Sequence, residues 1–231
     1  MIHQLPLALD LQHAPALDDF IVGGNGPLLD ALRQSFDSDG ETLFYLFGPP
    51  GSGRTHLLLG QCGAAEKRGL RCVYLPLAER AAFDVRMLEG LEEYDLLALD
   101  DVHEIAADHA WEEALFALFN RCRDHGRRLL FTADRGPSRL PLTLADLRSR
   151  LAWGLTLSIR PLDDRGRQAL LKALAERRAL TLPDDVARYL LERTSRAPAD
   201  LVDTIARLDR ASLAERRRLT IPFVRDRLKL I

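Results

Sequence analysis

Apolar residues recur along this chain in two rhythms. Residues 43–47 (Leu43-Phe44-Tyr45-Leu46-Phe47) are apolar without a break, as are 72–75, 96–99 and 129–131, the last followed by Thr132; a fifth run spans 155–159. Short runs of this kind predict strands buried on both faces. Between them the period lengthens. Residues 55–68 predict a helix ended by Gly69, and Trp111, Leu115, Leu118, Phe119 and Cys122 mark one face of a helix that stops near Gly126. Strands alternating with helices predict a parallel sheet covered on both sides. After Pro161 only the helical rhythm remains, carried by Leu170, Leu171 and Leu174, then Val186 and Leu190, then Leu201, Ile205 and Leu208. Pro183 followed by Asp184 and Asp185 predicts a helix start, because proline suits a first turn and acids oppose the positive end of the helix dipole. Residues 1–16 carry two prolines and no period, and predict an extended tail. The expected architecture is that tail, an α/β domain over 17–161 with a five-stranded parallel sheet, and a small all-helical domain over 162–231.

Composition narrows the function classes. Among 231 residues, 47% are hydrophobic and 29% charged, enough apolar material for a core. The net charge of −2, from 32 basic and 34 acidic residues, provides no broad cationic field, so any nucleic-acid role must come from a patch or a partner. Cys62, Cys72 and Cys122 are odd in number, form no CxxC and sit in apolar stretches, which predicts buried thiols in a reducing compartment. His103-Glu104 with His109 lacks the spacing of HExxH. No apolar run approaches the ~20 residues of a membrane span. The start, Met1-Ile2-His3-Gln4, has no cationic stretch, so no secretion signal is expected.

The chemistry concentrates after the first strand. Gly48-Pro49-Pro50-Gly51-Ser52-Gly53-Arg54-Thr55 follows an apolar run and opens a helix, the context that the pattern GxxxxGK[ST] requires. Glycines let backbone N–H groups converge on phosphate oxygens, and the helix N-terminus adds partial positive charge. Thr55 can place its hydroxyl on Mg²⁺. Arg54 stands where the pattern has lysine, keeping the charge on a larger planar fork. The third strand ends in Asp100-Asp101, placing one carboxylate where it would orient Mg²⁺ and a second where a water-activating base belongs.

These residues bring a family into view. The phosphate loop, Asp100-Asp101-Val102 with Ala106, residues 132–137, and Leu147-Arg148-Ser149-Arg150-Leu151-Ala152-Trp153-Gly154 resemble the AAA+ core of the DnaA family. The last stretch follows that clade's pattern L-x-S-R-[LF]-x-W-G. Asp18-Asp19-Phe20-Ile21-Val22-Gly23-Gly24-Asn25 resembles the segment that covers the base, which implies that Phe20 and Val22 line the nucleotide. The resemblance spans residues 17–231 and is nearest to the Hda-type regulators of DnaA. The phosphate-loop arginine, the end of the chain after the helical lid, residues 208–212 and residues 219–224 all favour that branch. So does Gln4-Leu5-Pro6-Leu7-Ala8-Leu9, which resembles a sliding-clamp-binding peptide with contacts from Gln4, Leu5, Leu7 and Leu9.

The resemblance implies a cytoplasmic regulator that binds ADP or ATP with Mg²⁺, docks on the DNA-bound sliding clamp and promotes hydrolysis of the ATP held by DnaA. DNA is then reached mainly through the clamp, head-to-tail self-assembly is an option, and little ATPase activity of its own is expected. It makes Arg150 an arginine finger acting in trans. Read without the resemblance, Arg150 fits an ordinary surface ion pair. Asp134 is either the polar sensor after the fourth strand or a turn-former before Gly136-Pro137. The lid position that carries a sensor arginine in DnaA holds Ala199 here, with Arg196 three residues earlier. A competing reading is an autonomous ATPase of the helicase-loader or remodeller kind: Thr55, Asp100 and Asp101 suit it, while Arg54 and Ala199 count against it. A DNA-binding initiator conflicts with the net charge, and a small-molecule kinase with the missing lysine.

Replacing Gln4 and Leu7 together by alanine should abolish capture by purified sliding clamp without moving the melting temperature. The peptide precedes the first periodic segment, so it should carry little of the core. Unchanged capture in a pull-down would return residues 4–9 to the status of a tail with chance leucines.

Overall fold

The computed structural model describes residues 15–229. Gln4, Leu5, Leu7 and Leu9 lie outside the described residues. The described chain forms two units, one of residues 15–20 and 25–160, the other of residues 21–24 and 161–229.

The first unit is a five-stranded, wholly parallel sheet in the order β2-β3-β4-β1-β5. Its elements are α1 (Gly26–Gln34), β1 (Leu43–Phe47), α2 (Arg54–Glu66), β2 (Cys72–Pro76), β3 (Leu96–Asp100), α3 (His109–Asp124), β4 (Arg128–Ala133), α4 (Ala145–Leu151) and β5 (Leu155–Ser158). The unbroken apolar runs have a simple cause. Side chains alternate across a strand, and here both faces are covered. Tyr45, Val73, Leu75, Leu97, Leu99, Leu129 and Phe131 enter one core with Leu115, Phe119, Leu147 and Leu151. Phe44, Leu46, Tyr74, Leu96, Ala98 and Leu130 enter the other with Leu29, Leu32, Leu57, Leu58 and Cys62. The strand order reverses at β1, which lies between β4 and β5. Crevices at the carboxyl ends of strands beside such a reversal are where open α/β sheets bind ligands.

The second unit holds α5 (Asp164–Glu176), α6 (Asp184–Arg193), α7 (Pro198–Glu215) and α8 (Ile221–Leu228) around Leu171, Leu190, Leu201, Ile205, Leu208 and Phe223. Asp163 caps α5 by accepting from the Gly166 amide at 2.8 Å, and Thr220 caps α8 through the Phe223 amide. Pro183 is the residue before α6 rather than part of its first turn.

Cys62 and Cys122 are buried as expected, and burial pushes the Cys122 thiol up to about 12. Cys72 is only half-buried, at the start of β2. No helix among the described residues is long and apolar enough to cross a membrane.

One charged side chain inside the first unit has a structural task. Glu112 on α3 is 0% exposed. Its carboxylate accepts from the amides of Ala107 at 2.9 Å, Thr143 at 3.1 Å and Leu144 at 2.7 Å, and from the Thr143 hydroxyl at 2.7 Å. It thereby ties α3 to the turn that starts α4, and it holds Ala107 in a left-handed conformation at φ 66°. Burial pushes the Glu112 pKa up, but the four donors outweigh it and the pKa falls below the ordinary value.

Glu112→Gln should therefore lower stability by roughly 2–3 kcal/mol, because an amide NH₂ then faces backbone donors. That corresponds to a drop of about 5–10 °C in Tm. The wild-type contribution is fully present above the unfolded glutamate pKa and is lost as pH falls through the depressed folded value. The gap between wild type and variant should therefore close in acid. Equal melting temperatures at neutral pH would refute the brace.

Candidate functional site

The loop after β1 is shaped by close approaches. Gly51 and Gly53 adopt φ of 75° and 97°, which L side chains rarely adopt. A Cβ on Gly48 would lie 2.7 Å from Ser52 Oγ and 3.0 Å from the Ile159 carbonyl, and one on Gly53 would lie 2.6 Å from the Phe20 ring. Phe20, itself buried, packs over Gly53 and meets the His56 ring edge-on with centroids 5.5 Å apart. The Ser52 amide closes a turn on the Pro49 carbonyl at 3.1 Å, and α2 opens at Arg54. The first amides of that 13-residue helix have no partner in the preceding turn. Ser52 Oγ is buried with no hydrogen-bond partner among the described residues. An uncapped helix N-terminus, an orphaned hydroxyl and glycines with no room for side chains fit a phosphate group.

At the end of β3 the two acids lead different lives. Asp100 is 3% exposed and sits inside three hydroxyls. Thr55 donates to one carboxylate oxygen at 2.6 Å, Tyr74 donates to the same oxygen at 2.9 Å, and Thr132 donates to the other. Because Thr55 donates its proton to Asp100, its lone pairs point away and are available to a cation. Thr55 and Asp100 together thus fit the protein's side of a Mg²⁺ site.

Asp101 turns outward in a left-handed conformation, φ 58°. Its amide donates to Thr132 Oγ1 at 2.9 Å, and its carboxylate lies 2.9 Å from Arg54 Nη2. The other end of the Arg54 fork donates to the Gly48 carbonyl at 2.7 Å. Burial first, and Asp100 second, raise the Asp101 pKa, against the pull of Arg54 and His103. The cation of the phosphate loop and the acid in the base position are therefore partners of each other.

The remaining expected residues fall elsewhere. Asp134 lies just beyond β4, both of its oxygens held by its neighbour Arg135 at 2.8 and 2.6 Å, and this contact keeps its pKa low. The polar residue of β4 that reaches the acids is Thr132. Val22 is exposed and belongs to residues 21–24, which group with the helical unit. Arg196 sits in the loop before α7, against the Leu191 carbonyl at 3.3 Å and Asp164 at 3.4 Å, and Ala199 is in the first turn of α7. Arg150 occupies the last turn of α4, its guanidinium 3.9 Å from the centre of the Trp153 ring. Arg148, two residues earlier, points to the Leu142 carbonyl at 3.4 Å and helps hold the loop that precedes α4.

Sequence reasoning missed Tyr74 and Thr132. The register carried a signal for both. Pro76 pairs with Asp100, so Tyr74 lies two positions back on the same face. Phe131 pairs with Leu99, so Thr132 stands beside Asp100.

A parallel sheet in this order, with a phosphate loop after the strand of reversal and paired acids ending β3, defines a P-loop protein of the AAA+ class. The sequence model of the bacterial DnaA ATPase domain matches residues 11–158, and that of the Hda lid domain matches residues 164–228. The chain belongs to the DnaA-related AAA+ family, and its lid is of the Hda kind. Domain III of Thermotoga maritima DnaA is 23% identical, with 97% of this chain and 98% of that one covered at a TM-score of 0.80, a likeness of fold. AMPPCP-bound DnaA from Aquifex aeolicus is 27% identical over 88% of this chain and 68% of that one, with a TM-score of 0.70. A DnaA bound to AMPPCP and single-stranded DNA is 25% identical over 87% and 68%, with a TM-score of 0.72.

Gly53→Ala should cost about 2–4 kcal/mol. It forces a left-handed φ on an L side chain and drives a methyl into the Phe20 ring. Thermal unfolding of the ligand-free variant reads the loss; an unchanged Tm would mean that Phe20 does not pack over the loop.

Proposed function

We propose that this DnaA-related replication protein is a regulator that binds a nucleotide without readily hydrolysing it and supplies Arg150 to ATP held by DnaA. Gly48, Pro49, Gly51, Ser52, Gly53, Arg54 and Thr55 would hold the phosphates, with Phe20 and Val22 toward the base. Thr55 and Asp100 would hold Mg²⁺, which would neutralise phosphate charge. Two of the structural neighbours contain the ATP analogue AMPPCP, which supports nucleotide binding here. Clamp docking through residues 4–9 rests on the peptide alone.

One observation carries the reading. The protein's own site ties its cation to its acid, Arg54 to Asp101, whereas Arg150 pairs with no carboxylate among the described residues. A general base whose charge is already paired with a guanidinium activates water poorly. A guanidinium held apart from its own acids is free to meet charge that develops on a partner's phosphate, where such an arginine contributes ~10³–10⁵ in rate. The autonomous-ATPase reading draws on the Thr55–Asp100 geometry, and the same assay separates the two.

ADP should stabilise the protein at least as well as ATP, because Arg54 is engaged and Ala199 supplies no charge. Ligand at ~100 times its Kd adds about 2.7 kcal/mol, read as a rise in melting temperature. The absence of any shift would refute phosphate binding, and a large shift with ATP alone would refute the ADP preference.

Arg150→Ala should keep the fold and nucleotide binding yet lose stimulation of DnaA. The measurement is single-turnover hydrolysis by ATP-loaded DnaA with clamp on DNA. Full stimulation by the folded variant would remove the finger assignment, and rapid hydrolysis by the wild-type protein alone would favour the autonomous ATPase. Because Arg148 supports its loop, Arg148→Ala is informative only alongside a measured Tm.

A further inference from the structure

We infer that Trp153 is the positioning residue for Arg150: its indole face holds the guanidinium extended and away from carboxylates, ready for a partner's triphosphate. The inference rests on the in-trans role proposed for Arg150.

The arrangement follows from the short stretch Arg150-Leu151-Ala152-Trp153-Gly154. Leu151 is fully buried and anchors the end of α4. Gly154 passes so close to the first strand that a Cβ there would lie 2.0 Å from the Leu43 carbonyl oxygen, so no other residue fits without moving β1. Between these anchors the Trp153 amide donates to the Arg150 carbonyl at 3.1 Å, closing a tight turn. That turn folds the two outward side chains onto each other, and the Arg150 guanidinium carbon sits 3.9 Å from the indole centroid. Such a stack on tryptophan is the most favourable cation–π pairing among the aromatic residues.

The ring is itself held. Phe119 of α3 meets it edge-on, with centroids 6.4 Å apart and planes at 82°. Arg123 of α3 places a second guanidinium 4.6 Å from its centre, and Phe116 lies 6.0 Å from Arg150. Trp153 nonetheless remains 51% exposed, so this side chain costs burial energy that a purely structural tryptophan would recover. Asp146, one turn earlier on α4 and in reach by spacing, makes no ion pair with Arg150 among the described residues. The stack keeps Arg150 from its own acid and fixes the side-chain torsions before the partner arrives. Less ordering then remains to be done when the complex forms, which is the source of preorganised rate enhancement.

Two measurements test this. First, acrylamide quenching of tryptophan fluorescence reports on the stack itself. The protein has two tryptophans, and Trp111 is buried. Arg150→Ala should therefore raise the quenching constant by uncovering Trp153, and an unchanged constant would overturn the stack. Second, stimulated hydrolysis by ATP-loaded DnaA is titrated with each variant, after circular dichroism and melting confirm folding. Trp153→Ala should lower the rate at saturation roughly tenfold, with little change in the half-saturating concentration, and Trp153→Phe should restore most of it. A normal maximum with weakened half-saturation would make Trp153 a contact for the partner and overturn the positioning role, as would wild-type behaviour. If Arg150→Ala also stimulates fully, the finger assignment itself has failed; if Arg150→Ala is inactive while Trp153→Ala is normal, only the present inference has.

Discussion

The carboxylate of Asp100 is the point on which the first unit is organised. A charge buried at the end of a central strand costs several kcal/mol unless it is met by donors. It is met by three hydroxyls, each from a different element: Thr55 from α2, Tyr74 from β2 and Thr132 from β4. Hydrogen bonds to a charged group contribute about 1.5–3 kcal/mol each. One side chain therefore fixes the register of three adjacent strands and the angle at which α2 leaves the phosphate loop. Thr132 extends the arrangement by accepting the Asp101 amide, so the left-handed turn that sends Asp101 toward Arg54 is set by the same cluster.

Charge is distributed unequally over the molecule. In the protein's own site Arg54 is spent on Gly48 and Asp101, leaving converging amides and Thr55 as the main phosphate-seeking groups. Around Trp153 the balance is opposite, with Arg150 of α4 and Arg123 of α3 sharing one indole and, among the described residues, no carboxylate. The brace through Glu112 supports the second of these regions: α3 carries Phe116, Phe119 and Arg123 around the Trp153 cluster, and Glu112 ties that helix to the turn that starts α4.

Much of this was legible in the sequence. Four of the five strands appear as apolar runs because both of their faces are buried, whereas the edge strand β5 alternates Leu155-Thr156-Leu157-Ser158 and is largely exposed; the phosphate loop appears because only glycine survives at Gly48 and Gly53. The short helices α1, α4 and α8 escaped, since one or two turns offer too few periodic positions to stand out from loops. Trp153 was quoted within a motif but given no task, because a stack between residues three apart depends on a turn that the pattern does not describe. Glu112 could have been found. It shares the helix face of Leu115 and Phe119, where an acid needs partners, but sequence cannot say that amides from residues 107, 143 and 144 supply them.

The sheet's strand order also shapes how the chain is made. β1 is bonded only to β4 and β5, whose residues follow it by some 80 to 110 positions. At synthesis rates of ~5–20 residues per second, roughly 5–20 s separate the appearance of Leu43–Phe47 from that of its last partner. Throughout that interval five consecutive apolar residues of high strand propensity are in the nascent chain with no sheet to join. The strand that leads into the phosphate loop is thus the one that waits longest for a hydrogen-bonding partner, and the early-made α1 and α2 are the first elements able to cover its Phe44 and Leu46.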